Sequence, residues 1–267
     1  MARWIGIDDL RRRLDEQDEQ LRTLAAAHHD TRMLADRASV GARTVPADVA
    51  TEAAWRAEAE VILARHDAQT VADVRALQDR YRGPVFGEVR VYDLIERLAQ
   101  CVDPTDCRLF GASQLTHVLQ VLEAMEADGV LTEQLAIAAL VHDLGKLLLL
   151  TDEDPANVVC MNQPIGEFEE GVGLDQVVFQ WNHDELAYTR LAPHLDDDLA
   201  WLVRYHSIDP VAHRPLMDDE DRRRADALLE VFSHYDHGSK QALHRPSVRL
   251  ADHRDLVEAT FPDPIVF

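Results

Sequence analysis

Seven side chains of metal-binding type sit inside apolar, helix-periodic segments: His117, His142, Asp143, His183, Asp184, His206 and Asp236. A single histidine on an apolar face is ordinarily a hydrogen-bonded core residue, and a buried aspartate needs a compensating partner. Recurrence on successive helices changes that reading. Neutral imidazoles and carboxylates converging from facing helices are how bundles hold metal ions. The His142-Asp143 step is the most informative, because adjacent helical residues diverge by ~100° and are poorly set to chelate one ion together. They are better set to serve two, with His142 on one ion and the Asp143 carboxylate spanning a pair roughly 3.5–4 Å apart. Lys146 shares their face at i+3 and i+4. Ions would repel it, so it is expected to contact an anionic or hydroxyl-bearing substrate; the alternative is a surface lysine with its stem laid along apolar neighbours.

The elements that must position these residues read as helices, and alternating strand-like runs are scarce. Ile7, Leu10, Leu14, Leu21 and Leu24 fall on heptad-like spacing, which predicts an amphipathic helix that either packs on its own domain or forms a coiled-coil arm. A loop follows over 41–46. Helices are expected over 51–68 and 70–81, then around Leu94, Ile95, Leu98 and Val102, over 113–125, 131–150, 174–191, 199–205 and 225–235. His142-Asp143 falls inside the most apolar of them. The cluster 218–224 is read as solvated surface. Residues 1–70 are expected to form an N-terminal arm or lid and 71–267 the functional domain, with an all-α architecture.

Composition removes several functions. The 267 residues carry 49 acidic against 27 basic side chains, a formal charge of −22, which opposes nucleic acid and anionic membranes. With 46% hydrophobic residues the chain can still bury a core. Cys101, Cys107 and Cys160 make neither an even disulfide framework nor a Cys-x-x-Cys pair. Nothing before Asp8 and Asp9 resembles a signal sequence, and the apolar stretch 135–150 is shorter than the ~20 residues of a bilayer span. A soluble protein of the reducing cytoplasm is expected.

The ordered set resembles the HD-domain superfamily, whose members are helical and mostly metal-dependent phosphohydrolases. It resembles more closely the myo-inositol oxygenase branch, non-haem diiron oxygenases on an HD-type helical bundle. The matching segments are Val-Asp-Pro-Thr-Asp at 102–106, His-Asp-Leu-Gly-Lys at 142–146, Gly-Leu-Asp at 173–175, Trp-Asn-His-Asp-Glu at 181–185, Arg-Tyr-His-Ser at 204–207, and 232–240 with Asp236 and Lys240. Similarity extends from about Val71 onward. The resemblance implies six iron ligands at His117, His142, Asp143, His183, His206 and Asp236, with Asp143 bridging, and Asp184 orienting a ligand histidine. It implies substrate contacts at Lys146, Ser207 and Lys240, and more loosely at Asp103 and Asp106, which also suit a helix end and a turn. Lys146 and Asp143 become the catalytic residues. Two Fe ions in a mixed-valent Fe(II)/Fe(III) state and O2 as co-substrate are implied, with a locally positive pocket inside a negative molecule.

One departure bears on substrate. Where the family has a Gly-Asp pair whose carboxylate holds substrate hydroxyls, this chain has Cys160-Met161. A thioether cannot accept two hydroxyl bonds. The substrate is therefore expected to be a cyclitol, or a related hydroxylated small molecule, that is less hydroxylated or carries an apolar group near Met161. Two other readings stay open: a dinuclear HD phosphohydrolase, and a catalytically silent metal-binding or interaction module with the N-terminal helix as its working part; separately, that helix is a candidate homo-oligomer contact. Of the remaining histidines, His28, His29, His66, His194, His213, His244 and His253 are expected to be solvated, while His234 and His237 flank Asp236 and are candidates to line the pocket.

Overall fold

The computed structural model describes residues 49–267 except Cys160, with side chains from Glu52 onward. The expected helix around residues 7–24, the loop at 41–46, His28, His29 and Cys160 lie outside the described residues. Helix α1 (Val49–Asp67) and α2 (Val71–Arg80) are separated by Thr70, whose side chain caps α2 in a reciprocal box with Asp73. After β1 (Glu88–Val89) come α3 (Val91–Arg97), α4 (Gln114–Ala127) and α5 (Glu133–Val141). Then follow α6 (His183–Leu191), α7 (Asp197–Tyr205), α8 (Asp219–Arg224), α9 (Glu230–Gly238), α10 (Arg254–Thr260) and β2 (Ile265–Val266). Ser113, Thr132, Asn182 and Asp196 each accept a backbone N–H at a helix start, which is why α4 to α7 begin where they do.

Residues Thr51–Phe267 form one compact all-α unit. Every residue of α5 from Leu135 to Val141 is buried, so this helix is apolar all round and forms the centre of the bundle. α4 and α7 pack on it, and α6 packs on α7 and on the segment Leu144–Leu150. The two short strands pair antiparallel, Glu88 with Val266 and Val89 with Ile265, and Phe267 is fully buried.

Four expectations need correction. The helix expected over 131–150 ends at Val141; Asp143 leaves the helical region at φ −92°, ψ 8°, and Leu144–Leu150 continues as a 3-10 helix. The cause is the approach of α6: a Cβ on Gly145 would stand 2.0 Å from the His183 carbonyl oxygen, so the turn hugs the start of that helix. The helix expected over 174–191 is a short 3-10 turn, Leu174–Gln176, then extended chain, then α6. Its backbone groups bond across to 163–165 instead, through Ile165 N to Val178 O (2.7 Å) and Gln180 N to Gln163 O (2.9 Å). Val102 lies beyond the end of α3 and is exposed. Finally, the charged cluster 218–224 is not wholly solvated. Asp221 is buried, accepting Trp201 Nε1–H (2.8 Å) and Leu174 N–H (2.7 Å), so it ties α8 to α7.

Candidate metal centre and its cavity

α4 supplies His117, the turn after α5 supplies His142 and Asp143, the first turn of α6 supplies His183 and Asp184, the end of α7 supplies His206, and α9 supplies Asp236. All seven are buried, so the structure brings together every residue singled out for metal chemistry. Three of the four imidazoles are held in one tautomer. His142 Nδ1 donates to Ala139 O (3.0 Å), His183 Nδ1 to Val158 O (2.6 Å) and His206 Nδ1 to Val203 O (2.9 Å). A carbonyl only accepts, so each Nε2 presents a bare lone pair inward.

The Asp143 carboxylate divides these lone pairs into two sets. Its Oδ2 lies 3.4 Å from His142 Nε2 and 3.7 Å from His117 Nε2, while Oδ1 lies 3.1 Å from His183 Nε2 and 3.7 Å from His206 Nε2. Asp236 Oδ1 joins the first set, 2.8 Å from His117 Nε2 and 3.8 Å from His142 Nε2. In each of the groups His117–His142–Asp143 and Asp143–His183–His206 the ligand atoms lie within 4.8 Å of one another. Asp184 faces the second set, with Oδ1 3.1 Å from His183 Nε2 and 3.5 Å from His206 Nε2. Its Oδ2 accepts Asn162 Nδ2–H (3.1 Å) and the Ser207 hydroxyl. His142 Nε2, His183 Nε2 and Asp184 Oδ1 are buried without a hydrogen-bond partner, a set of converging acceptors that is stable only with positive charge among them.

The electrostatics agree. Burial would lower His206, yet the carboxylates of Asp184, Asp143 and Asp236 raise it to about 9. The second set thus draws a positive charge, whether a proton or a metal cation. His117 is lowered to about 4 by burial and by Lys240, so it stays neutral and donates its Nε2–H to Asp236 Oδ1 (2.8 Å), a proton that a bound cation would replace. Burial would raise Asp143 and Asp236, but Lys146 beside the one and Lys240 beside the other hold both well below the usual range.

A cavity of about 370 Å³ opens over the centre and has two kinds of wall. On the polar wall, Lys146 Nζ meets Asp143 Oδ2 (3.0 Å), Asp103 Oδ2 (3.2 Å) and Gln114 Oε1 (3.2 Å). Lys240 Nζ lies 3.1 Å from Asp106 Oδ2. Burial opposes the charge on each lysine, but the facing carboxylates raise both. Asp103 and Asp106 each have one oxygen in a local turn, Asp103 with Thr105 and Asp106 with Arg108 and Leu109, and the other on a lysine at the cavity. Ser207 also lines this wall. Leu63, Val159 and Met161 supply apolar lining to the same cavity. On the protein's own charges five carboxylates (103, 106, 143, 184, 236) face two ammonium groups, so the positive pocket expected from the sequence requires the two metal cations counted in that expectation.

Several residues were missed by pattern reading. His66 and His213 are buried, not solvated, and His244 pairs with Glu123. His66 links α1 to the loop bearing Met161, with Nδ1 2.8 Å from Ala156 O and Nε2 3.2 Å from Met161 O. Ala59, Ile62, His66 and Gln69 are all buried at helical spacing, a stripe that could have revealed it. Gln114 and Asn162, which contact Lys146 and Asp184, carry no such signal. His237 lines the cavity, whereas His234 is exposed outside it. The residues flanking the histidines are braces: Arg204 joins Glu185 (2.9 Å) and Asp175 (2.6 Å), and Trp181 stacks on Tyr81 at 5.0 Å.

Comparison with known proteins gives a consistent picture. The family described as Myo-inositol oxygenase matches residues 58–166 and 151–267. "Inositol oxygenase 2" of Arabidopsis thaliana is 31% identical over 220 residues, covering 66% of this chain and 67% of that protein. "Probable inositol oxygenase" of Oryza sativa subsp. japonica is 29% identical over 214 residues, covering 66% and 69%. The human protein named "Inositol oxygenase" is 24% identical over 178 residues, covering 54% and 62%.

Proposed function

The chain belongs to the myo-inositol oxygenase family, and from that premise we propose that it is a non-haem diiron oxygenase that uses O2 to oxidise a cyclitol, such as myo-inositol or a related hydroxylated small molecule, with cleavage of a ring C–C bond. The observation that carries the reading is the Asp143 carboxylate, whose two oxygens face two separate pairs of imidazole Nε2 atoms. His117, His142 and Asp236 would hold one iron and His183 and His206 the other, with Asp143 shared between the two sets and a mixed-valent Fe(II)/Fe(III) pair as the working state. Imidazole and carboxylate donors suit iron, and the unpartnered buried acceptors fit a cation. Bound iron would supply Lewis acidity toward a substrate hydroxyl and a site for O2 reduction.

The protein's own residues bind and orient. Lys146 stays an ammonium, so it serves not as a base but as a fixed positive charge beside the oxygen that becomes negative. Lys240 and Ser207 hold further substrate oxygens, and Asp103 and Asp106 accept hydroxyl protons while orienting the two lysines. Asp184 fixes Ser207 and Asn162 on the side of His183 and His206. Each lysine is already matched by carboxylates, which favours a neutral polyol over a phosphate ester and so speaks against the phosphohydrolase alternative.

Among the described residues no helix is long and apolar enough to cross a membrane. A cytoplasmic location, an N-terminal arm or lid within residues 1–70, of which those from Thr51 onward pack in the compact unit, and a homo-oligomer through the N-terminal helix complete the proposal; the last is checked by light scattering of the full chain. The central test measures O2 uptake by the iron-loaded protein with a panel of cyclitols. Uptake that depends on both cyclitol and iron is expected. Metal-dependent phosphate release from phosphomonoesters without O2 uptake would overturn the reading.

A further inference from the structure

The cavity's two walls differ in what they can recognise. The polar wall pairs donors with acceptors, Lys146 with Asp103 and Lys240 with Asp106, a pattern matched to a run of ring hydroxyls. The lining supplied by Leu63, Val159 and Met161 offers only weak sulfur acceptance from its side chains. The nearest polar side chain in sequence does not compensate. Asn162 is 5% exposed and turned inward onto Asp184, and it is absent from the cavity wall. Leu63 and Met161 belong together: His66, three residues after Leu63 on α1, holds the Met161 carbonyl at 3.2 Å. Both line the cavity and both are exposed, Leu63 at 42% and Met161 at 43%, so neither has its apolar surface covered by the protein itself.

We propose that Leu63, Val159 and Met161 form a specificity wall that selects a cyclitol bearing an apolar edge, a mono-O-methyl ether or a monodeoxy ring, over the fully hydroxylated ring. This rests on the oxygenase reading above and deepens it by naming the substrate class. A fully hydroxylated ring would press a hydroxyl against thioether and aliphatic carbon and lose its hydrogen bonds to water. An O-methyl group would instead cover Met161 and Leu63, and one methyl in an apolar pocket is worth about 10–200-fold in discrimination.

The test uses the full-length, iron-loaded chain with two probes, myo-inositol and a mono-O-methyl ether of it. Affinity is measured anaerobically by calorimetry and turnover by O2 uptake. The wild type should favour the ether by at least ~10-fold in both Kd and kcat/KM. Met161→Asp should restore a carboxylate and reverse the preference, and Leu63→Asn should weaken it in the same direction. If both probes bind but the wild type prefers myo-inositol, or if neither substitution moves the ratio, the specificity wall is wrong while the oxygenase reading survives. If neither probe binds or drives O2 uptake, both fall.

Discussion

His206 and His66 are equally well buried, yet they sit in regions built for different work. At the centre, each of three imidazoles spends Nδ1 on a backbone carbonyl and turns a bare Nε2 toward carboxylates. At the clamp between α1 and the loop 156–161, both ring nitrogens of His66 face carbonyl oxygens, and the nearest side chain is the Gln69 amide. Burial alone therefore does not identify a ligand. The discriminating feature is what the second nitrogen meets: a carboxylate shared with another imidazole at the centre, a backbone acceptor at the clamp.

The largest effect is expected where the centre depends on backbone contact. Gly145→Ala drives a methyl into the His183 carbonyl and should destabilise the chain by ~4 kcal/mol or more, read as loss of soluble folded protein or a collapsed melting transition. Next, Asp143→Asn removes the group common to both ligand sets, and metal affinity should fall more than ~100-fold, measured by metal analysis after dialysis against a weak chelator. Chelation should also lower the melting temperature of the wild type, since a ligand present at 100 times its Kd stabilises by ~2.7 kcal/mol.

The clamp should behave oppositely. His66→Leu removes the one N–H that the neutral ring, kept so by burial, can give to the carbonyl of Ala156 or of Met161, so stability should drop by about 1–3 kcal/mol with metal content unchanged. Loss of metal from this variant at full folding would erase the distinction between the two regions.

The smallest effect lies far from both. Hydrogen bonds from Ser247, opposed by partial burial and aided by His244, depress Glu123 to about 2 from an ordinary 4.5. A depressed carboxyl contributes stability above pH 4.5 that is lost as pH falls toward 2. Glu123→Gln should thus cost under ~1 kcal/mol at neutral pH and flatten the acid limb of the stability curve by that amount.

The buried cluster of histidines and aspartates was legible because those residues stand out inside apolar helices, and the order of motifs was read from a resemblance to a family that the comparisons bear out. The all-α class was legible from periodicity. What was not legible depended on tertiary contact. The break at His142-Asp143 arises from the approach of α6 to Gly145, and the extended chain at 177–182 from pairing with 163–165. Asp221 looked like one more surface charge because its partners, Trp201 and Leu174, are distant in sequence. Leu63 gave no hint of its place in the cavity, since nothing local marks where a helix will meet a loop a hundred residues away.

The central claim is that Asp143 divides the buried histidines between two ions. Iron bound per chain after anaerobic loading and gel filtration tests it most directly, on the wild type and on His183→Ala. The account predicts about two ions per wild-type chain and about one in the variant, held by His117, His142 and Asp236. A wild-type chain that saturates with one ion, or binds none, would contradict it.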